Sequence, residues 1–195
     1  MHLKRYVVDV HLIFDVRKAI AAAGFVCQQN DGRCDLLKLI KILYLADRTA
    51  LTRWHRPITG DDLWSLEHGP IVSKVYDLIR GRAMGPEMVA WAQAFNPRDG
   101  DIVSVKGEIS SKPLSRREKA VLLEAFNKIH PLSIGQVIDF MHSLPEWRNP
   151  GKSAEKIDAR SIFFHENLGI EQVNEIEDDL LTAQLAKAAL QSVGN

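Results

Sequence analysis

Histidine and cysteine are the residue types in this sequence that most readily bind metals or act as nucleophiles and bases. The chain contains seven histidines and two cysteines. Their spacing matches no zinc signature such as His-Glu-x-x-His or Cys-x-x-Cys. His142 and Glu146 lie four residues apart, but Pro145 between them prevents both from sharing one helix face. We therefore expect no bound metal.

Nucleophilic and phosphate-binding patterns are equally weak. A Cys/His pair built on Cys34 has no support beyond the presence of both residue types, and cysteine is among the residues most often buried. Gly81, Gly85 and Gly107 do not have the spacing of a phosphate-binding loop. The sequence predicts a protein without catalytic residues and without a cofactor.

Asp47 and His68 are a further candidate pair. Asp47 lies towards the end of an apolar segment, and a buried acid needs a hydrogen-bond donor. We expect that donor to be His68, Tyr76 or a backbone amide of the corner at His68-Gly69-Pro70. Gly69 permits an unusual backbone angle and Pro70 suits the first position of a helix, so the corner is predicted to join a strand to a helix.

The elements that position these residues follow from hydrophobic periodicity. A helix is predicted over residues 9–23, ended by Gly24. Asp35 is predicted to cap a long helix that reaches Trp54. Apolar residues cover so much of the circumference of this second helix that we expect it to be central and largely buried.

After the long helix the pattern changes. Residues 63–67 alternate between apolar and polar types, which predicts a short strand. A helix is predicted over residues 70–80, with Gly81 as its C-cap. Residues 102–106 follow an Asp-Gly turn and are a second strand candidate. We expect the two strands to pair into a small ribbon packed on the helices.

The second half of the chain is predicted to be helical. Ser115 and Ser133 occupy N-cap positions of helices that end near residues 129 and 143, and Glu118 completes a capping box. A short helix over 155–167 and a terminal helix over 171–191 complete the chain. The predicted fold is mainly α, a compact multi-helix domain with a small two-stranded β element and C-terminal helices.

An ordered set of motifs between Asp35 and Gly81 carries a family resemblance. The motifs are Lys-Leu-Ile-Lys-Ile-Leu-Tyr-Leu-Ala-Asp-Arg at 38–48, Arg-Pro-Ile-Thr-Gly at 56–60, Glu-His-Gly-Pro at 67–70, Tyr-Asp-Leu at 76–78 and, later, Leu-Pro-Glu-Trp at 144–147. Each motif alone is weak. Their succession resembles the Panacea domain of SocA-like antitoxins over residues 12–168.

The resemblance implies a Panacea domain over residues 1–168, followed by a helical extension over 169–195. It implies an antitoxin that neutralises a protein toxin by direct binding. For one branch of the family it implies an adaptor that delivers the toxin to an AAA+ protease, and both mechanisms stay open. The residues expected to organise a binding face or the fold are Tyr44, Asp47, Arg48, Trp64, His68, Gly69, Pro70 and Tyr76.

Two interpretations of these residues are open. Asp47 and His68 either only fix the corner onto the long helix, or they shape a groove for a toxin segment, with Tyr44 and Trp64 as aromatic anchors. Aromatic residues at helical spacing lie in the core more often than at interfaces, which favours the first interpretation.

Charge bounds the choice of partner. The formal net charge is zero, so no global field draws the chain to nucleic acid or to an anionic membrane. The charged residues of 33–56 are mainly basic and those of 166–179 are acidic. Either the two stretches attract each other within the protein, or the acidic stretch binds a basic surface of the toxin.

A DNA-binding autoregulator is the alternative function. The helices predicted at 115–129 and 133–143 have the layout of a helix-turn-helix. The second of them has no Lys or Arg, although Gln136 could reach a base edge. A nucleic-acid partner is therefore the less favoured expectation.

The amino-terminal segment bears on localisation. Asp9 and Asp15 interrupt its apolar run, so it lacks the features of a signal peptide. No window reaches the length of a membrane span. We expect a cytoplasmic protein with reduced thiols and no membrane partner.

Overall fold

The structure, a computed structural model, describes residues 12–193. Within this range the helices are α1 (Val16–Gln28), α2 (Leu36–Trp54), α3 (Ser73–Ile79), α4 (Pro86–Ala94), α5 (Arg116–Ile129), α6 (Ile134–His142), α7 (Ala159–His165) and α8 (Ile170–Val193). The strands are β1 (Arg33–Asp35), β2 (Leu63–Leu66), β3 (Gly69–Val72), β4 (Ile102–Ser104) and β5 (Glu155–Lys156). The mainly α prediction is confirmed.

The helix α2 is the centre of the fold. It begins where Asp35 Oδ1 accepts the N–H of Lys38 at 3.0 Å, as predicted. Twelve of its nineteen residues are buried, and it packs against α1, α5, α6, α7 and β3. A helix enclosed on so many sides needs apolar residues around most of its circumference. The central position expected for this helix is confirmed.

The strands pair differently from the prediction. Strand β2 forms an antiparallel hairpin with β3 across a turn at Glu67 and His68, and β5 pairs with the other edge of β2. Strand β4 pairs with β1 in a separate two-stranded sheet. The predicted strands at 63–67 and 102–106 therefore do not pair with each other. Periodicity could not identify β1, because it has only three residues and runs directly into α2.

The predicted strand-to-helix corner at His68-Gly69-Pro70 is also wrong, because Gly69 and Pro70 belong to β3. Helix α3 begins later, at Ser73. The N–H groups of its second and third residues donate to the carboxylate of Asp61, at 2.8 Å from Lys74 N and 2.9 Å from Val75 N. A cap supplied from outside the helix thus sets its first residue, which local sequence could not show.

The first helix is shifted from its prediction of 9–23. Within the described residues it starts at Val16, capped by the Asp15 side chain, and residues 9–11 of the prediction lie outside the described range. The helix continues through Gly24 instead of ending there. A Cβ at Gly24 would lie 2.7 Å from side-chain atoms of Ile109, so this glycine serves close packing.

The second half agrees with the prediction more closely. Helices α5 and α6 both begin with complete capping boxes, at Ser115 and Ser133. Helix α7 lies inside the stretch predicted as helix over 155–167, and α8 matches the predicted terminal helix. Helix α4 was missed by the sequence analysis, although its Trp91 is buried and stacks on Phe95 at 4.0 Å.

Among residues 12–193, no helix combines the length and apolar character that crossing a bilayer requires.

Gly60 offers a test of how the turn after α2 is packed. It has a φ of +67°, and a Cβ there would lie 2.1 Å from the carbonyl oxygen of Ile13. Gly81 has nearly the same φ, +68°, with no atom within 4 Å of its Cβ position, so it is a matched control for backbone strain alone. We expect Gly81→Ala to lower the free energy of unfolding by about 1 kcal/mol and Gly60→Ala by at least about 3 kcal/mol.

Chemical denaturation of both glycine variants measures these losses. Equal losses would show that the turn can move away from Ile13 without cost.

Candidate functional site

Asp47, on the buried side of α2, is held by the turn that follows the helix. Its Oδ1 accepts the N–H groups of Ile58 (2.7 Å) and Thr59 (2.9 Å), and its Oδ2 accepts the Thr59 hydroxyl. Burial raises the pKa of Asp47 to about 6, although the hydrogen bonds from Thr59 and Ile58 oppose the shift. The prediction that His68, Tyr76 or the corner amide is the donor is wrong, because the chain returns to the helix at residues 58 and 59.

Asp61 extends this network to α3. Its N–H donates to Thr59 Oγ1 at 3.2 Å, so the Thr59 hydroxyl connects the two acids. Burial raises the pKa of Asp61 to about 7, opposed by the two N–H groups of α3 that it accepts. The cluster of Asp47, Thr59 and Asp61, which we call the acid clamp, fixes α2, the turn and α3 to one another.

Tyr44 and Arg48, one helical turn apart on α2, share a buried carboxylate. Glu146 Oε1 accepts the Tyr44 hydroxyl and Arg48 Nε, both at 2.8 Å, and Arg48 also reaches Glu166 Oε1 at 3.3 Å. Burial and the neighbouring Glu146 carboxylate raise the pKa of Tyr44 well above its usual value, so its hydroxyl stays a donor. Tyr44 is fully buried, it does not line the groove described below, and Glu146 already accepts its hydroxyl.

The residue after Glu146 holds the hairpin. Trp147 Nε1 donates to the carbonyl of Leu66 at 3.1 Å, and its ring stacks on His142, whose Nε2 lies 3.0 Å from the Glu67 carbonyl oxygen. The segment at 144–147 thus connects α2 and the β2–β3 hairpin at the same time. These contacts fix α2 and the hairpin on either side of the space between them.

That space is a groove of about 450 Å³ between the first half of α2, the hairpin and α3. Its floor and sides are largely apolar and are formed by Leu36, Leu37, Ile40, Leu66, Ile71 and Ile134. Polar side chains also line the groove, among them Glu67, His68, Tyr76, Arg80 and Lys152. A mainly apolar surface with some polar side chains suits the binding of a protein segment.

Lys41 also lines the groove, but it is only 1% exposed. Its Nζ donates to the carbonyl of Pro70 at 2.8 Å, which is its one acceptor among the described residues. Burial lowers the pKa of Lys41 from 10.5 to about 7. Holding the charged form inside the protein therefore costs about 5 kcal/mol, more than the roughly 2 kcal/mol that one hydrogen bond from a charged group contributes.

The predicted site residues separate into two groups. Tyr44, Asp47 and Arg48 belong to buried polar networks, whereas His68 and Tyr76 line the groove. His68 is exposed in the hairpin turn, and the Tyr76 hydroxyl accepts from a guanidinium nitrogen of Arg80, the residue after α3, at 3.0 Å. The structure therefore does not join Asp47 to His68 in one cluster.

The other three predicted residues belong to the hairpin. Gly69 has a φ of +92°, and a Cβ there would lie 2.6 Å from Met141, so the predicted need for an unusual backbone angle is confirmed. Pro70 is buried in β3, where its carbonyl accepts from Lys41. Trp64 is half-buried on β2, opposite Ile71.

Sequence reasoning missed four residues of these networks. Lys41, Thr59 and Glu146 lie inside the motifs that carried the resemblance, so the motifs were the signal that could have identified them. Asp61 directly follows one such motif and has no signal of its own, because its role depends on the distant amides of α3.

The cysteines, the possible metal ligands and Gln136 are the remaining candidates for a functional role. Cys27 and Cys34 are free, buried thiols, and burial raises the pKa of Cys34 to about 12, which disfavours its thiolate at neutral pH. Within residues 12–193, no group of three or more His, Cys, Asp or Glu side chains is placed to hold a metal ion. The Gln136 side-chain oxygen accepts the Ser133 N–H in a capping box.

Comparison with known proteins agrees with the motif succession. The family model for the Panacea domain of SocA-like antitoxins matches residues 39–148, more than half of the chain. This segment includes the acid clamp, the hairpin and Glu146. No curated protein and no solved structure matches the sequence.

The acid clamp predicts that two substitutions of Asp47 differ in their effect on the free energy of unfolding. Asp47→Ala leaves the buried N–H groups of Ile58 and Thr59 without an acceptor, so we expect the free energy of unfolding to fall by about 3 kcal/mol. Asp47→Asn is the matched control, since its amide oxygen keeps both backbone bonds and its NH₂ group donates to the Thr59 hydroxyl. Urea denaturation compares them, and equal losses would exclude the clamp.

The difference in stability between the wild type and Asp47→Asn is expected to depend on pH. The native pKa of Asp47, about 6, lies above the unfolded value of 3.8, so the native state binds the proton more tightly. Its contribution to stability is complete below about pH 4 and is lost as pH rises through 6. Between pH 4 and pH 7 the wild type should lose about 2 kcal/mol relative to Asp47→Asn. A constant difference across this range would contradict the assignment.

Proposed function

The chain belongs to the SocA-like antitoxin family through its Panacea domain, and from this premise we propose that it neutralises a protein toxin by binding it directly in the groove. The observation that carries the proposal is an apolar surface left open between walls that buried networks hold in place. Such a surface is pre-organised, so little conformational freedom is lost when a partner segment occupies it.

Partly exposed residues that line the groove offer apolar contacts to a partner segment. Ile134 is 41% exposed, and Leu37, Leu66 and Tyr76 are half-buried. His68 is exposed beside them. A partner that covers these side chains removes apolar area from water, at about 25 cal/mol per Å². Burial of this apolar area supports binding by a hydrophobic segment of the toxin.

We propose that the protein acts by binding alone and not as an enzyme. Direct occlusion of a toxin segment requires no bond to be made or broken, and it requires no cofactor. The buried thiols, whose pKa values burial raises, support this view because neither is disposed to act as a nucleophile.

Ile134→Glu tests the groove as the contact surface. The substitution places a charge on the apolar lining, while glutamate at the first residue of a helix suits the helix dipole and should leave folding intact. We expect affinity for the cognate toxin to fall at least about tenfold, and rescue of growth on co-expression to be lost. Calorimetry and growth assays measure the two effects.

Leu123→Glu is the matched control. Leu123 is 39% exposed on α5, outside the groove, and so it receives the same change at a similar exposure. It should bind and rescue like the wild type. Equal losses in both variants would remove the groove from the proposal, and failure of the wild type to bind the toxin would remove direct binding.

The lifetime of the toxin distinguishes occlusion from delivery to an AAA+ protease. We propose occlusion, because a segment held in the groove is removed from solvent without a third protein. The half-life of the toxin in cells should therefore be the same with and without this protein, while its activity is blocked. A half-life that shortens only in cells with the protease would assign the adaptor role instead.

A further inference from the structure

We propose that Lys41 receives a carboxylate of the toxin, presented beside an apolar side chain that occupies the groove floor. The inference names the chemistry of the partner segment and rests on the proposed function.

The geometry leaves the ammonium of Lys41 with unused donors. An ammonium has three N–H groups, and the Pro70 carbonyl accepts one of them. Gly69 lets the hairpin lie against the lysine, since a Cβ there would come within 3.4 Å of Nζ and 2.6 Å of Met141. When Lys41 is protonated, two N–H groups of this groove-lining side chain therefore have no acceptor among the described residues.

The charged groups around the groove do not neutralise Lys41. The groove is lined by the acids Asp35, Glu67 and Asp101 and by the bases His68, Arg80 and Lys152. Among the described residues, no carboxylate oxygen lies within 4 Å of Lys41 Nζ. Asp35 is occupied as the cap of α2, and Asp101 faces Arg98 at 3.4 Å.

The elements packed against Lys41 add no further counter-charge. Strand β3 approaches it with Gly69 and Pro70, and α6 approaches with Met141 beside Gly69. His142 of α6 is turned to the Glu67 carbonyl, and Tyr76 of α3 faces the guanidinium of Arg80.

A carboxylate supplies acceptors for the Lys41 N–H groups that have none among the described residues. Its two oxygens accept both free N–H groups, and the pair is strong because the surroundings are apolar. The apolar floor favours a side chain over a phosphodiester. A segment without the acid leaves the buried ammonium unpaired, so Lys41 also discriminates among partners.

The contact between Lys41 and a carboxylate of the toxin can be measured as the uptake of a proton on binding. Burial lowers the pKa of Lys41 to about 7 in the free protein, and a bound carboxylate must raise it. Binding near neutral pH therefore takes up a proton. Affinity is highest below pH 7 and declines as pH rises through the free-state pKa.

Calorimetry with the toxin in two buffers of different ionisation enthalpy tests the proposal. At pH 7.5 we expect uptake of roughly three-quarters of a proton, and a Kd about tenfold weaker at pH 8 than at pH 6. Lys41→Met should bind more weakly at pH 6, take up no proton at this site and lose the pH dependence. Its melting temperature should equal or exceed that of the wild type, because an apolar side chain replaces a buried charge.

Lys41→Gln is a second neutral variant that keeps a donor for Pro70, and it should show the same loss of linkage. Uptake that persists in both variants and disappears in His68→Asn would overturn the proposal in favour of the histidine. Lys41→Met that binds as tightly as the wild type would also overturn it, with the proposed function intact. A wild type that does not bind the toxin would instead defeat the proposed function.

Discussion

The structure depends on one buried carboxylate. Asp47 accepts two backbone N–H groups and a hydroxyl from residues 58 and 59, and these contacts return the chain to α2 after the helix ends. Through Thr59 the same contact reaches Asp61, which caps α3. A buried polar group without a hydrogen-bond partner lowers stability, so Asp47, Thr59 and Asp61 each depend on the others for their partners. The position of α3, and with it one wall of the groove, follows from this requirement.

The buried carboxylate of Glu146 likewise ties a distant segment of the chain to α2. Glu146 accepts from Tyr44 and Arg48, and the adjacent Trp147 donates to the hairpin. The family motifs thus mainly hold the walls of the groove. Lys41 is the exception, because its burial costs stability that its own contacts do not offset. Groups that stabilise a fold poorly are expected where function needs them.

The terminal helix lies outside the segment that matches the family. It packs on the rest through the buried side chains of Val173, Ile176 and Leu180, and Arg160 Nε lies 3.0 Å from Glu177 Oε1. Glu166 in the acidic stretch meets Arg48 of the basic helix, so part of the opposite charge of the two stretches is paired inside the protein.

Features with local causes could be predicted from the amino-acid sequence. Asp35, Ser115 and Ser133 cap helices through amides three residues away, and the periodicity of α2 required a central position. The ordered motifs identified the family. Contacts between distant elements set which amides satisfy Asp47, where α3 begins, that β1 pairs with β4, and that Lys41 is buried with no carboxylate of residues 12–193 beside it. Each of these depends on groups brought together from separate elements, and hydrogen bonds across such distances leave no periodic pattern in the sequence.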